Sequence, residues 1–286
     1  MKYAYIREVS MHHNTAALCD VLGVSRSGYY DWRGRKPSQR ERANQQLLGR
    51  IQVLHDTHRQ RYGSPRMHAA LVKSGEQVSK GRVERLMRKH QIVARRAQRH
   101  KRVYIQREQQ KAPPNVLSRD FHAAVPDRKW VSDITFIPTR EGHLYLAIVL
   151  DIFSRAVVGW AMSRRINGDL VLEALDMAIT HRGSPKGVMV HSDQGSQYTA
   201  EAYRDKLHQN DMVCSMSRKG ECHDNAVAES FFHTLKEELV HDKRYATRQQ
   251  AKHSIFKYIE LYYNRQRLHS YLGHEAPMVY ERIHAA

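Results

Sequence analysis

At 286 residues, 41% hydrophobic and 27% charged, the chain is long enough for a sizeable core plus a smaller module, and too apolar for a disordered tail or a fibre. Its 47 Lys and Arg exceed its 29 Asp and Glu, a net charge of +18, and a surplus of that size attracts polyanions, nucleic acid foremost. The longest strongly apolar run, Leu144 to Asp151, is far shorter than a membrane span, Met1 to Ser10 lacks a signal peptide's apolar centre, and Cys19, Cys214 and Cys222 have no C-x-x-C spacing, so neither membrane, disulfide framework nor zinc is expected, and the location is cytoplasmic.

The charge is uneven. Residues 1 to 119 hold 26 Lys and Arg against 8 Asp and Glu, whereas residues 120 to 286 hold 21 of each. Such asymmetry reads as a binding arm joined to a balanced globular body. In Ala16 to Trp32, a helical apolar pattern through Ala17, Val21 and Val24 breaks at Gly23 and resumes after Ser25, predicting helix, turn and helix with Arg26 and Ser27 at the start of the second. A second pair follows. Gly63-Ser64-Pro65 opens a helix that Gly75 closes, and Ser79 caps Lys80 to His90. That last helix buries Val83, Leu86 and Met87 and leaves Arg82, Arg85, Arg88 and Lys89 for phosphates. Arg95, Arg96, Arg99, Lys101 and Arg102 extend the basic track. Ile105 to Asp120, with Pro113-Pro114 near its centre, resists helix and central strand and reads as a linker.

From Trp130 the pattern changes to three short runs, WVSDITFIP, HLYLAIVLD and RAVVGWAM, rich in β-branched and aromatic residues, which predict an antiparallel meander. Asp169 to Thr180 has helical periodicity, Gly187 to Val190 is a short buried strand, Tyr198 to Asn210 a helix and Met212 to Met216 a fifth strand. Asn225 to Val240 carries a buried stripe of Val227, Phe231, Leu235 and Leu239, and Asp224 is placed to cap it. The order of elements is an α/β layer arrangement with a mixed five-stranded sheet.

Three acids stand out on that scaffold. Asp133 sits mid-strand between Val131 and Ile134, where a carboxylate needs a partner. Asp193 opens the polar loop His191-Ser192-Asp193-Gln194-Gly195-Ser196-Gln197 after an apolar strand, the end of an α/β sheet where sites gather. Glu229 lies on the last helix, four residues before His233 and seven before Lys236, so the three rise along one face. Three carboxylates converging in a partly buried place stay ionised with a metal, and oxygen-only ligands favour Mg²⁺, with Mn²⁺ as substitute. Two such ions suit in-line phosphodiester chemistry. Asp151, at a hairpin rim, is a lesser candidate, and Glu221 and Asp224 rival Glu229 for the third position. His191, Ser192 and Asp193 are adjacent and cannot adopt a hydrolase triad.

Asp133 in W-V-S-D-I-T, Asp193 in H-S-D-Q-G-S-Q-Y and Glu229 in D-N-A-V-A-E-S-F-F, with 35 residues between the last two acids and Lys236 seven residues on, resemble the DDE motif of retroviral-integrase-type transposases. With the closing segment Tyr263 to Gly273, YNRQRLHSYLG, nearly the whole chain resembles the second-reading-frame (OrfB) subunit of bacterial insertion-element transposases. The resemblance implies a ribonuclease-H-like catalytic core preceded by an all-α helix-turn-helix DNA-binding region. It implies Asp133, Asp193 and Glu229 as catalytic metal ligands, Lys236 against DNA near the reacting phosphate, and strand cleavage followed by strand transfer at the terminal inverted repeats. It also implies a homo-oligomer on element-end and target DNA, a first-frame (OrfA) partner or frameshift fusion, and a nucleoid-associated location. Asn225 either orients Glu229 or starts its helix. The expected division is residues 1–45 and 46–104 for two helical DNA-binding regions, 105–120 for the linker, 121–240 for the core and 241–286 for a C-terminal helical extension. The competing readings are a DNA-binding regulator with vestigial carboxylates and a nuclease acting on RNA/DNA hybrids.

Overall fold

The computed structural model describes residues 2–36, 38–95, 113–218 and 222–285. Arg96, Arg99, Lys101, Arg102 and Glu221, all singled out above, lie outside the described residues. The chain divides into two compact units, Met1–Val93 and Ala94–Ala286.

The first unit is helical throughout its described regular structure. Helices α1 (Lys2–Val9), α2 (Thr15–Val21) and α3 (Arg26–Gly34) close around Ile6, Cys19 and Tyr29. Gly23, at φ +60°, makes the turn between α2 and α3. Helices α4 (Gln39–Thr57), α5 (Ser64–Lys73) and α6 (Lys80–Lys89) bury Leu47, Ile51, Met67, Leu71, Val83, Leu86 and Met87. The predicted punctuation is present, with Ser25 Oγ accepting from Gly28 N at 3.1 Å and Ser79 Oγ from Arg82 N at 3.3 Å, and Ser38 Oγ adds a further cap, accepting from Glu41 N at 3.1 Å. Each such cap contributes about 1 kcal/mol to a helix whose other face meets water.

The second unit is built on a mixed sheet. Strands β1 (Lys129–Ile137), β2 (Leu144–Asp151) and β3 (Val157–Ser163) form the expected antiparallel meander. After α7 (Gly168–His181), strand β4 (Met189–Ser192) joins β1 in parallel. The short helix α8 (Ser196–Thr199) and α9 (Glu201–Gln209) lead to β5 (Val213–Met216), parallel to β4. The order across the sheet is β3-β2-β1-β4-β5. β4 begins two residues later than its sequence suggests and runs to Ser192, so Asp193 leaves the strand directly. Helix α10 (Ala226–Leu235) follows a 3-10 turn over Cys222–Asn225 and continues as a π-helix over Lys236–Val240, so the single helix expected from Asn225 to Val240 changes winding near its middle. The chain closes with α11 (Arg248–Phe256), a π-helical continuation over Lys257–Tyr263, and α12 (Pro277–His284).

Two apolar layers sandwich the sheet. On one face Trp130, Ala147 and Val149 pack with Leu170, Ala174 and Leu175 of α7 and with Tyr203 and Leu207 of α9. On the other, Val131, Ile137, Leu146 and Ile148 pack with Ala228, Phe231 and Leu235 of α10 and with Ile255, Ile259 and Tyr263. The alternation of β1 therefore assigns odd-numbered residues from Val131 to Ile137 to the α10 face.

The closing signature is structural. Asn264 Oδ1 accepts from Val157 N at 3.0 Å and Asn264 Nδ2 donates to Val157 O at 2.9 Å, satisfying part of the outer edge of β3. Arg267, also buried, donates to Glu238 at 2.8 Å, and Tyr258 Oη donates to the same carboxylate at 2.9 Å. Glu238 lies in the π-helical continuation of α10, so this clamp holds the far end of the helix that carries Glu229.

Candidate active site

Asp133 is half-buried on β1, opposite Ile148 of β2, on the face that α10 covers, and its Oδ1 accepts from Ile134 N at 2.8 Å. The β1–β4 ladder sets Val131 opposite His191. Continued by two residues, that register brings Asp193 level with Asp133. Asp193 Oδ1 accepts from Gly195 N at 3.0 Å, forming the Asx turn that re-aims the chain into α8. Asp193 stays open to solvent on one side, yet burial among packed neighbours pushes its carboxyl above the usual range, partly offset by the Gly195 N–H. A carboxylate so placed favours a nearby cation.

Tyr198 of α8 packs in the layer of α7 and α9, beneath the Asp193 loop. Its phenol is buried and shares a 3.0 Å hydrogen bond with Ser132 Oγ. Burial, Tyr203 and then the charges of Asp133 and Asp193 together push the phenol well above its ordinary value.

Glu229 is half-buried in the first turn of α10, beside buried Ala228. One turn earlier Asn225, also buried, donates from Nδ2 to Ser132 O at 3.2 Å, fastening the start of the helix to β1 next to Asp133. Asn225 starts the helix, as one of its two expected roles has it, and ties that start to the strand. The three acids therefore come from neighbouring elements, with Asp133 and the helix of Glu229 on one sheet face. They do not close into a ligand set in this conformation: among the described residues no group of three or more His, Cys, Asp or Glu is arranged to hold a metal. The donors fit a hard divalent ion in their chemistry, all three being carboxylates.

The rival acids are occupied elsewhere. Asp224 neither caps α10 nor faces the other two acids. It is fully buried, accepting from Arg119 Nε at 2.7 Å, Asn115 Nδ2 at 2.8 Å and Arg218 N at 3.0 Å. Burial alone would raise this carboxyl, but the arginine and backbone hydrogen bonds outweigh it and hold it at about 2. Asp151 is at the end of β2, as expected, but buried, accepting from Ser154 N at 2.9 Å and Asp127 N at 2.8 Å. It pairs across the sheet with Trp130, three residues before Asp133. His191 is buried between Ser215 Oγ at 2.9 Å and Ser217 Oγ at 3.1 Å, and burial, partly offset by Asp224, lowers its pKa to about 4. It is neutral scaffolding beneath the Asp193 loop.

The predicted DNA contacts divide. Lys236 Nζ lies 4.9 Å from the centroid of Phe136. In the arm Arg85, Arg88 and Lys89 are exposed on α6, Arg88 in an i,i+4 pair with Glu84, and Arg26 is exposed at the start of α3. Arg82 instead turns to α4, donating to Asn44 Oδ1 at 2.9 Å. Arg95 pairs with Asp242 at 2.6 Å. Sequence reasoning missed Ser132, Tyr198 and Arg119, because each matters through a partner distant in sequence, and Arg218, whose partner Asp224 lies six residues on. The tyrosine in H-S-D-Q-G-S-Q-Y was the available signal.

Comparison with known proteins agrees with this organisation. Models described as an integrase core domain match residues 123–222 and 229–284, and an HTH-like domain matches residues 42–102. The transposase InsF of insertion sequence IS3A from Escherichia coli is 38% identical over 288 residues, covering 100% of both chains. The chain belongs to the IS3 family of insertion-sequence transposases. A second relative, the 31 kDa protein of insertion element IS600 from Shigella sonnei, is 38% identical over 268 residues, 93% of this chain and 98% of that one. The HTLV-2 integrase catalytic core, solved with magnesium, is a faint structural likeness at 14% identity and TM-score 0.40, over 54% of this chain and 95% of that one. As an IS3-family transposase with an integrase core, the chain is a DNA-acting polynucleotidyl transferase. No helix among the described residues is long and apolar enough to cross a membrane.

Proposed function

We propose that this transposase cuts one strand at each end of its element and joins the freed 3′-hydroxyl to target DNA, using Asp133, Asp193 and Glu229 as one divalent-metal site for both steps. The observation that carries the assignment is the register that sets Asp193 level with Asp133, together with the Asn225 hydrogen bond that fastens the helix of Glu229 to β1 beside Asp133. Two Mg²⁺ or Mn²⁺ ions at such a site supply activation of the attacking oxygen and stabilisation of the leaving oxygen. The chain's own residues do the positioning. Gly195 N–H holds the Asp193 carboxylate, Ile134 N–H holds that of Asp133, and Asn225 fixes the first turn of α10 to the strand between them.

The exposed cations of α6 and Arg26 contact DNA phosphates, with the residues beyond Arg95 continuing the track. Lys236 contacts DNA beside the reacting phosphate. Cleavage of one end and joining to another duplex require both DNA segments together, which favours a homo-oligomer, with a first-frame partner or fusion supplying further end recognition.

The test is strand joining by the full chain on DNA carrying the element's own terminal repeats. Asp133→Asn, Asp193→Asn and Glu229→Gln are each expected to lower joining by about 10³-fold, with DNA binding retained, and EDTA should stop the reaction. Joining that persists in Asp193→Asn would overturn the assignment.

A further inference from the structure

Phe136 is out of place by the rules that arrange the rest of β1. Its neighbours Thr135 and Ile137 are buried, yet the Phe136 ring is 49% exposed. The β1–β4 ladder ends at Val131, so at Phe136 the strand is paired through β2, at Tyr145. One exposed aromatic is ordinary on a protein surface, and what distinguishes Phe136 is its surroundings.

The surroundings indicate what covers it. Lys236 Nζ sits 4.9 Å from the ring centroid, and the His143 ring lies 4.8 Å away at 39°. Arg248 Nε donates to His143 O at 3.0 Å, and exposed Arg140 lies on the same hairpin. The acid in the turn of that hairpin, Glu141, accepts from Arg248 N at 2.9 Å. An aromatic face among cations suits a polyanion that also presents flat apolar rings, which is unpaired nucleic acid. In a paired duplex the base faces are stacked on one another and unavailable.

Position narrows the occupant further. Phe136 is three residues from Asp133, about 10 Å along an extended strand, and although alternation turns it away from the α10 face, its ring at the unpaired edge of β1 still meets Lys236 of the α10 continuation. At 3.4 Å per stacked nucleotide, that span is about three steps of one DNA strand. We propose that Phe136 is a stacking platform for one nucleobase, unpaired from its complement within about three positions of the reacting phosphate, with Lys236 contacting the phosphate of the same stretch. The proposal rests on the carboxylate site argued above. Stacking there offsets the cost of opening the end of the duplex, and so delivers the strand to the acids in extended form.

The experiment compares two DNA substrates carrying the element's terminal repeat, one fully paired and one with the last three pairs mismatched. Phe136→Ala in the full chain is expected to lower strand joining about tenfold on paired DNA and less than threefold on mismatched DNA, where opening is already complete. Phe136→Trp should retain joining, and Phe136→Leu, equally apolar but without a π-face, should behave as the alanine variant. An equal loss on both substrates, full activity of Phe136→Leu, or no loss in Phe136→Ala would each overturn the proposal. A reading independent of chemistry uses 2-aminopurine near the end, bound without metal. Its emission should be quenched by the wild-type chain and by Asp193→Asn alike, and not by Phe136→Leu. Quenching by Asp193→Asn together with unimpaired joining would sink the carboxylate assignment and leave the platform standing, whereas loss of joining without Phe136-dependent quenching would do the reverse.

Discussion

The two units spend charge in opposite ways. In Met1–Val93 the cations of α6 stand in water, apart from Arg82, and the helices are held by caps and a small apolar seam. In Ala94–Ala286 charges are turned inward: Arg267 onto Glu238, Arg119 and Arg218 onto Asp224, Arg182 onto Asp127 and Glu281. The same residue types attract DNA in one unit and fix geometry in the other. A solvated cation contributes little to stability and much to long-range attraction, whereas a buried ion pair is costly to break and invisible to a distant phosphate.

Arg267→Ala breaks the comparison hardest. It strands the buried Glu238 carboxylate beneath α10, and about 3 to 5 kcal/mol of stability should be lost in denaturant unfolding of the body. A loss under 1 kcal/mol would show that the clamp on the helix of Glu229 is slack.

Glycine offers a second contrast with opposite signs. A methyl group on Gly159 of β3 would collide with the backbone carbonyl of Ala174 and with Ala178 on α7, so Gly159→Ala should cost about 3 kcal/mol. Gly49, exposed in α4, has nothing within 4 Å of the added carbon, and Gly49→Ala should stabilise the arm by up to about 1 kcal/mol. Thermal melts of the two variants should move in opposite directions.

Asp151 gives the body a pH signature. Burial raises its carboxyl from 3.8 to about 6, against the opposing hydrogen bonds from Ser154 and Asp127. The protonated form is favoured by the fold, so this residue's contribution is full below about pH 4 and is lost as pH rises through 6, by at most about 3 kcal/mol. Asp151→Asn, which cannot ionise, should gain stability relative to wild type as pH rises across that window, and a constant difference would show that the carboxyl titrates normally.

The smallest effect belongs to the arm. Lys89→Ala should leave stability within about 0.5 kcal/mol and lower the slope of log affinity against log salt by about 0.9, the value of one phosphate contact. Arg82→Ala, by contrast, should loosen α6 from α4 through the lost bond to Asn44. An unchanged slope in Lys89→Ala would remove this lysine from the DNA interface.

These contrasts also explain what was legible beforehand. The meander, the helix caps and the three acids each leave a local mark: alternation in β1, Ser79 before Lys80, Asp193 directly after an apolar run. The role of Asp224 left none, because Arg119, 105 residues away, decides it. The π-helical winding after Leu235 was equally hidden, since Leu239 fits either winding, and Ser132 mattered only once folding brought Tyr198 and Asn225 to it.

The central claim is that three distant acids meet on one metal site. Diffraction from crystals of the full chain with Mn²⁺ and element-end DNA, recorded for anomalous scattering from manganese, tests it most directly. Density within about 2.0–2.3 Å of carboxylate oxygens of Asp133, Asp193 and Glu229 is the predicted result. Manganese bound elsewhere, with those three carboxylates apart while the scissile phosphate is in place, would contradict it.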